Sequence, residues 1–489
     1  MKRLIVIALA LLVAAGAFGQ ATVRYVMPGD ASPDNDTVIA AVNARLGPDA
    51  GLKLETMYVP WDAWENKINL MLASGDEFDL VHVMQDWIPY TSYFSKGGLA
   101  DITDSIAKYG ANLVKNIPAA MWPGAKVKGR TYVIPTFWAE LATEGDFTIR
   151  TDLLKQNGLS VPRTPAEMLA AMETVAMNWK GNGKPYLPLA PSVNNADPIG
   201  MHSSVLHRAY ASFPFTVKEK LFYVSQSGQA KSWVETPEFK QDAAWFRSAY
   251  VKGLISPDVL TIKQDQVVDQ INSGNWLVSW GTIGSYKDLQ KNWPALQDAD
   301  ILCAMFNREK PDVRPWGIKN CNAVPSTTTN PDLGVKFMNW LYASQDNYDL
   351  FMYGIEGTHY TTLRPHQKDS VLDATNRPLY VQADWMMGNL NFIRLDSVIP
   401  SATIKDIYTI DQKAINSPAA DLFFDSSNVR AELANVMTQF SAVMLPVYMG
   451  VVDWDKNYPA ALDKMKKAGL DKLVAEYQKQ LAAFLAAHK

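Results

Sequence analysis

Short apolar runs alternate with longer amphipathic segments along the first part of the chain. Residues 22–27, 52–58 and 79–83 are compact apolar runs that predict strands. Residues 33–46 and 61–72 space their apolar side chains at helical intervals, and the second of these ends before a Ser-Gly-Asp turn. This strand–helix alternation predicts a parallel sheet with helices on its faces. Ligands of such sheets bind beyond the carboxyl ends of the strands, so the loops that follow the three strands are candidate ligand-binding loops.

The same alternation begins again further along the chain. Residues 127–135 predict a hairpin or an extended crossing segment, and residues 148–150 predict the strand that follows it. Thr164 and Glu167 have the spacing of a capping box, which predicts the start of a helix. Residues 237–252 predict an amphipathic helix and residues 276–280 another strand. These elements predict a second α/β unit, and because no Gly-, Ser- or charge-rich linker precedes it, a hinge suits the connection better than a tether.

The end of the chain has a simpler pattern. Residues 457–489 predict a helical hairpin with Gly469 between its two helices.

The composition is that of an ordinary folded protein. The chain has 489 residues, of which 48% are hydrophobic and 20% charged, with a net charge of −4. Nucleic acids and anionic membrane surfaces require a concentrated positive field, so they are excluded as expected partners. The supply of aromatic residues is generous, with 15 Trp, 20 Tyr and 18 Phe.

The N-terminus predicts export. Lys2 and Arg3 precede an apolar run over residues 4–15, and small residues follow up to Gly19. This is the pattern of a signal peptide over residues 1–19, and the run is too short to span a membrane. No Cys lies near the cleavage point, so we expect a periplasmic or secreted protein without a lipid anchor.

Two cysteines, Cys303 and Cys321, are the only ones in the chain. In an oxidising compartment they are candidates for a disulfide, with two buried thiols as the alternative. No CxxC pair or histidine cluster accompanies them, so neither a metal site nor a cofactor is expected.

Several segments carry a family resemblance. KINLMLASGDEFDLV (67–81) resembles the early signature of the extracellular solute-binding proteins of bacterial ABC importers, in the large carbohydrate-leaning family 1 that includes maltose-binding protein. Further matches follow in the expected order over nearly all of the mature chain. Those from residue 235 onward resemble the subgroup with an extended C-terminal region. The further matching segments are 97–103, 127–135, 149–169, 235–258, 353–360 and 464–484.

The resemblance implies a type II periplasmic-binding-protein clamp. Each of its two lobes would be a mostly parallel sheet flanked by helices, and a strand hinge would join them. Lobe one would comprise residues 20–140 plus 318–365, and lobe two residues 141–317 plus 366–489, including a C-terminal helical extension. Such a protein captures a sugar or oligosaccharide by hinge closure and delivers it to a membrane permease. We expect it to act as a monomer.

Sugar recognition narrows the candidate residues. Pyranose C–H faces stack on aromatic rings, and the hydroxyls need carboxylates, amides or guanidinium groups. A structural role is the alternative for each candidate, such as core packing for Trp385, a helix cap or a pair with Arg364 for Glu356, and a solvated turn for Asp30. The residues that satisfy the requirement near predicted strand tips, turns or the hinge are Trp280, Trp87, Trp138, Glu140, Asp86, Trp385, Glu356, Trp61, Trp316 and Asp30.

Other functions are less well supported by the sequence. A glycan-cleaving enzyme would need two carboxylates at a defined separation, and no spacing among the 50 Asp and Glu singles out a pair. The GxSxG, HExxH, Walker and GxGxxG motifs do not occur, so we expect no catalytic activity. A receptor of the same fold for oligopeptides, or for a charged glycan recognised by Arg364 or Arg394, remains the alternative.

Overall fold

A computed structural model describes residues 20–85, 89–138, 147–189, 205–280, 289–375, 377–397, 399 and 413–487. The strands are β1 (Ala21–Pro28), β2 (Leu52–Val59), β3 (Leu80–Met84), β4 (Lys126–Val127), β5 (Arg130–Thr131), β6 (Val133–Pro135), β7 (Phe147–Arg150), β8 (Phe215–Lys218), β9 (Phe222–Ser225), β10 (Ala230–Ser232), β11 (Val278–Ser279), β12 (Ile301–Ala304), β13 (Val313–Arg314), β14 (Asn320–Ala323), β15 (Tyr360–Arg364), β16 (Gln367–Ser370), β17 (Leu395–Asp396) and β18 (Ile415–Asn416).

The helices complete the architecture. They are α1 (Asn35–Ala50), α2 (Trp64–Ser74), α3 (Tyr90–Ser95), α4 (Thr103–Tyr109), α5 (Ala111–Asn116), α6 (Thr151–Gln156), α7 (Pro165–Met177), α8 (Pro237–Val251), α9 (Gln264–Ser273), α10 (Asp332–Leu341), α11 (Gln345–Tyr353), α12 (Asp384–Met387), α13 (Arg430–Gln439), α14 (Leu445–Tyr448), α15 (Trp454–Lys467) and α16 (Leu470–Ala487). None of the described helices is both long and apolar enough to cross a membrane.

The first sheet has five strands in the order β2-β1-β3-β14-β6. Strand β1 pairs in parallel with both β2 and β3, whereas β14 runs antiparallel to β3 and β6. The predicted strands and helices of this region are therefore confirmed, with ends that shift by a few residues. Strand β14, which the apolar pattern did not predict, comes from a much later part of the chain.

Both faces of this sheet are covered. Along β1, Val23, Tyr25 and Met27 belong to one apolar cluster with α1, α10 and α11, whereas Val26 belongs to a cluster on the other face with α2. This alternation follows from the two-residue period of a strand. Burial on both faces explains why the strands are almost continuously apolar.

The second unit has its own core around β7, α7 and α8. Thr164 caps α7 by accepting a hydrogen bond from the Glu167 backbone N–H at 3.1 Å, as predicted from the sequence. The pairings of β7 with β11 and β12 are antiparallel, so this sheet differs from the mostly parallel sheet expected here. Strand and helix alternation does not fix strand direction, because direction depends on the end at which the chain re-enters the sheet.

The C-terminal helices α13 to α16 are part of the second core. The predicted helical hairpin is confirmed as α15 and α16, and Gly469 lies between them with a positive φ of 110°. Tyr448 packs 4.9 Å from Phe239 of α8, between ring centroids, and donates a hydrogen bond to the buried Asp242 at 2.8 Å. The extension is therefore integral to this unit.

The first core includes residues from late in the chain. Tyr380, Met386 and Met387 pack in the same cluster as β1 and α1, and the Asn322 side chain of β14 donates to the Met386 carbonyl at 3.0 Å. This apolar cluster therefore includes residues up to Met387. The lobe boundaries, including the one expected at residue 365, stay predictions.

The expected disulfide does not form. Cys303 lies on β12 beside β7 in the second unit, whereas Cys321 lies on β14 beside β3 in the first sheet. Both are thiols, and Cys321 is fully buried with its Sγ 3.7 Å from the Val83 carbonyl oxygen. The spacing of the two cysteines carried no information about the sheets that they occupy.

A thiol titration tests this correction. We expect two titratable thiols per chain after denaturation without reductant, and a melting temperature that dithiothreitol leaves unchanged, because no cross-link restrains the unfolded chain. In the native protein, the partly exposed Cys303 should react ahead of the buried Cys321. A denatured chain without titratable thiols would contradict the structure.

Candidate functional site

The ends of β1, β2, β3 and β6 and the start of β14 meet at one edge of the first sheet. Pro28 and Val59 pair at the ends of the parallel strands β1 and β2, and Met84 at the end of β3 pairs with Asn320 at the start of β14. The Thr136 backbone N–H, just after β6, donates to the Asn320 carbonyl at 3.0 Å. The strand ends that the sequence indicates as candidate ligand-binding positions therefore form a continuous edge.

Trp61 lies at this edge beside the β1 tip. Gly29 has a positive φ of 94°, and a Cβ at this position would be 3.3 Å from the Trp61 Nε1 atom. A side chain there would be strained by the backbone conformation and would press on the indole. Asp30, directly after Gly29, is exposed at the same tip. The glycine thus allows the β1 tip to approach Trp61 closely.

Trp385 joins Trp61 from a distant part of the sequence. The two indole centroids are 5.7 Å apart, with 39° between the ring planes. The His82 ring of β3 meets Trp385 edge-on at 5.1 Å, and its Nε2 lies 3.1 Å from the Asn320 Oδ1. Since both indoles are only partly buried, they form an aromatic surface at the sheet edge, supported from below by a buried imidazole.

The short helix α12 holds Trp385 in place. The carbonyl of the next residue, Met386, accepts hydrogen bonds from Thr136 Oγ1 at 2.9 Å and from Asn322 Nδ2 at 3.0 Å. Tyr342 donates to the Met387 carbonyl at 3.0 Å. Three side chains of the first unit therefore fix the backbone that carries Trp385, which makes the aromatic surface preorganised.

The residue before Trp385 has an unusual ionisation. Burial raises the pKa of the Asp384 carboxyl from 3.8 to about 7, opposed by the nearby Lys368 ammonium and by a hydrogen bond from the Tyr353 hydroxyl at 3.1 Å. Desolvation disfavours the charged carboxylate more than these two partners stabilise it. Asp384 therefore changes charge close to neutral pH, one residue away from the aromatic surface.

This shift predicts a pH-dependent stability. The Asp384 carboxyl ionises near pH 4 in the unfolded chain but only near pH 7 in the folded protein, so the free energy of unfolding falls as pH rises between these values. The contribution is up to about 1.4 kcal/mol per pH unit. The uncharged variant Asp384→Asn should lack it. Urea unfolding of both proteins from pH 5 to pH 8 measures the difference, and parallel pH profiles would contradict the assignment.

Other sequence candidates lie elsewhere. Trp280 is only 3% exposed and packs in the second core, 5.3 Å from Trp245 and 5.7 Å from Phe246 between ring centroids. Trp138 packs in a small separate cluster with Ile393. The proposed ligand contacts of these two residues stay predictions, and their surroundings fit structural roles.

Trp316 and Glu356 each have a structural contact of their own. The Trp316 ring lies under the ammonium of Lys218, 4.8 Å from the ring centroid. Glu356 is exposed and accepts a hydrogen bond from the Thr362 backbone at 3.3 Å, so it stabilises its own hairpin. Asp86, Trp87 and Glu140 lie outside the described residues, so their placement is not part of the site described.

The supporting residues were not found from the sequence. His82 was not among the candidates, although a histidine within the otherwise apolar strand β3 indicates that a polar group meets it. Asn320 and Asp384 gave no such signal. In the part of the chain that the structure describes, no group of three or more His, Cys, Asp or Glu is arranged to hold a metal ion.

Comparison with known proteins identifies the family. Residues 32–348 match the family model described as bacterial extracellular solute-binding protein. The chain belongs to this family. A protein of Streptococcus pneumoniae serotype 4 named carbohydrate ABC transporter substrate-binding protein is 24% identical over 96% of this chain and 92% of its own length.

Solved structures of solute-binding proteins share the fold over almost the whole chain. An N-glycan transport solute-binding protein of S. pneumoniae, NgtS, superposes with a TM-score of 0.74 at 18% identity, covering 96% of this chain and 100% of its own. The S. pneumoniae protein FusA, solved with kestose, gives 0.64 at 16% identity over 95% and 100%. The two-lobed α/β fold expected from the sequence is thus confirmed for this solute-binding protein.

The C-terminal region has a separate match. Residues 418–486 match a family described as a domain of unknown function. In this solute-binding protein, these residues include α13 to α16, which pack on the second core.

Proposed function

We propose that this solute-binding protein captures a saccharide between its two lobes, as the extracytoplasmic component of an ABC importer. The observation that carries the proposal is the contact between Trp61 and Trp385 at the carboxyl edge of the first sheet. Indole faces bind the C–H faces of pyranose rings, and the rings here are held rigidly by the sheet and by α12. Asp30 is an exposed carboxylate directly after Gly29, which closely approaches the Trp61 ring, and it would accept hydrogen bonds from sugar hydroxyls.

Relatives support a saccharide over other solutes. NgtS has been solved in complex with Man1GlcNAc and with Man5GlcNAc, and FusA with kestose. A further structure with the same fold is of a human-milk-oligosaccharide-binding protein of Bifidobacterium longum infantis, with a TM-score of 0.61 at 19% identity, covering 95% of this chain and 99% of its own. The likeness to these structures shows the fold, and the aromatic surface adds the chemistry.

The delivery step and the location follow from the same proposal. A lobe-closed complex would be recognised by a membrane permease, because a solute that contacts both lobes favours closure. We propose that the protein acts as a monomer outside the cytoplasm after removal of residues 1–19, and that it binds its solute without chemical change.

Thermal unfolding against a panel of oligosaccharides, peptides and polyols tests the proposal. A ligand at 100 times its Kd adds about 2.7 kcal/mol to the free energy of unfolding. We expect a shift from at least one oligosaccharide and none from peptides. A shift from uronate-containing or sulfated glycans alone would point to a charged-glycan receptor. A shift from peptides without any from saccharides would overturn the proposal.

A further inference from the structure

Residues 417–425, called the strap from here on, run between the two cores. At its first residue, Ser417 Oγ lies 2.8 Å from the Thr216 Oγ1 of β8. At its last residue, the Asp425 backbone N–H donates to Gln480 Oε1 at 2.8 Å, and Gln480 Nε2 donates back to the Asp425 carbonyl at 2.8 Å. Both ends of the strap are therefore bound to the second unit.

The middle of the strap meets the first unit. Phe423 packs with the apolar cluster on one face of the five-stranded sheet, and its ring meets Phe94 of α3 edge-on at 5.6 Å between centroids. Phe94 in turn meets Tyr132 edge-on at 4.7 Å. The next residue, Phe424, packs on the second core instead, 5.0 Å from Tyr477 and 5.6 Å from Phe222. Two consecutive phenylalanines thus contact opposite units.

The strap also fits closely against the chain where it passes between the units. The Gly317 backbone N–H donates to the Ala420 carbonyl at 3.0 Å. A Cβ at Gly317 would be 1.7 Å from the Asp421 Oδ1, and one at Gly124 of the first unit would be 2.9 Å from the same atom. The Asp421 carboxylate therefore occupies the space that side chains at the two glycines would take, so the strap packs closely against the chain at this point.

We propose that the C-terminal region governs the equilibrium between lobe arrangements through this strap. Because its ends are fixed on the second unit, Phe423 moves with that unit when the lobes rotate. Its contact with Phe94 therefore favours the arrangement in which the two rings meet, and is lost or changed in others. This gives residues 418–486, which match a domain of unknown function, a role in setting the intrinsic tendency of the clamp to open or close.

The inference rests on the hinge motion of the proposed function, but the distance between the lobes can be measured without any solute. Nitroxide labels at exposed positions in each unit, K115C on α5 and Q241C on α8, report the distance between the lobes by pulsed electron paramagnetic resonance in a Cys303→Ser background. We expect Phe423→Ala to shift or broaden the distance distribution.

Two further variants make the result specific. Phe94→Ala removes the partner ring and should give the same shift, and the double variant should add little to either. Phe392→Ala is the matched control, because it truncates a partly buried phenylalanine that packs 5.5 Å from Tyr348 within the first unit alone. Its distance distribution should equal that of the labelled parent, and melting curves of all variants show that they are folded.

The outcomes separate this inference from the proposed function. A changed distance distribution for F423A and F94A, with at least a threefold change in the Kd of the glycan found in the panel, supports the proposed role of the strap. An unchanged distance distribution for F423A overturns the proposed role of the strap, even if a glycan closes the lobes of the parent protein. If F423A shifts the distribution but no glycan closes the lobes of the parent, the role of the strap is supported and saccharide capture is overturned.

Discussion

Replacing Trp385 by alanine is expected to weaken saccharide binding by about 1–3 kcal/mol, which is roughly a 5- to 150-fold rise in Kd. The reason is that the variant loses one of the two indoles that meet at the sheet edge, 5.7 Å apart. Trp61→Ala should have an effect of similar size. The double variant should lose less than the sum, because two rings in contact do not act independently.

Isothermal titration calorimetry with the best glycan of the panel measures this effect. Trp454→Ala is a suitable control, because Trp454 is also partly buried but stacks on Tyr458 in the C-terminal helix α15, at 4.1 Å between centroids. The control should bind with the Kd of the unmodified protein. Unchanged binding by the Trp61 and Trp385 variants would show that the solute lies elsewhere, for example near Trp280.

Removal of the Asp242 carboxylate should have the largest effect on stability. This side chain is fully buried on α8 and accepts hydrogen bonds from the Tyr448 hydroxyl at 2.8 Å and from the Tyr210 hydroxyl, with His207 Nε2 at 3.0 Å. Asp242→Ala would leave the buried Tyr448 hydroxyl, the buried His207 imidazole and the partly buried Tyr210 hydroxyl without their common partner. We expect the free energy of unfolding to fall by about 3–5 kcal/mol.

Chemical denaturation of matched variants tests this expectation. Tyr448→Phe removes a single hydrogen bond to Asp242 and should cost only about 1 kcal/mol. Asp104→Ala, at a side chain that is 92% exposed, should change the stability by less than about 0.5 kcal/mol. A cost for Asp242→Ala similar to that of Asp104→Ala would mean that the buried cluster does not hold the C-terminal helices on α8.

The sequence predicted the elements better than their arrangement. Strands β1 to β3 and helices α1 and α2 followed from hydrophobic spacing, because their core-facing sides repeat with the periods of strands and helices. The direction of β11 and β12 did not follow, because pairing in a sheet depends on contacts between segments distant in sequence. The same limit explains Cys303 and Cys321, which were disulfide candidates because an oxidising compartment was expected, although they lie in different sheets.

The candidate site shows the same division. Trp61 and Trp385 were both candidates from residue type and position, but their contact depends on the return of the chain after β14 and on the Met386 carbonyl bound to the sheet. Trp280 had equally good sequence features, yet it packs in the second core at 3% exposure. An aromatic residue near a strand end therefore predicts neither exposure nor a ligand contact until the packing of its neighbours is known.

Small-angle X-ray scattering with and without a saturating oligosaccharide tests saccharide capture by lobe closure most directly. Lobe closure predicts a smaller radius of gyration in the presence of the sugar that stabilises the protein most, and no change with a sugar that does not stabilise it. Identical scattering curves, at a concentration where calorimetry shows full binding, would contradict it.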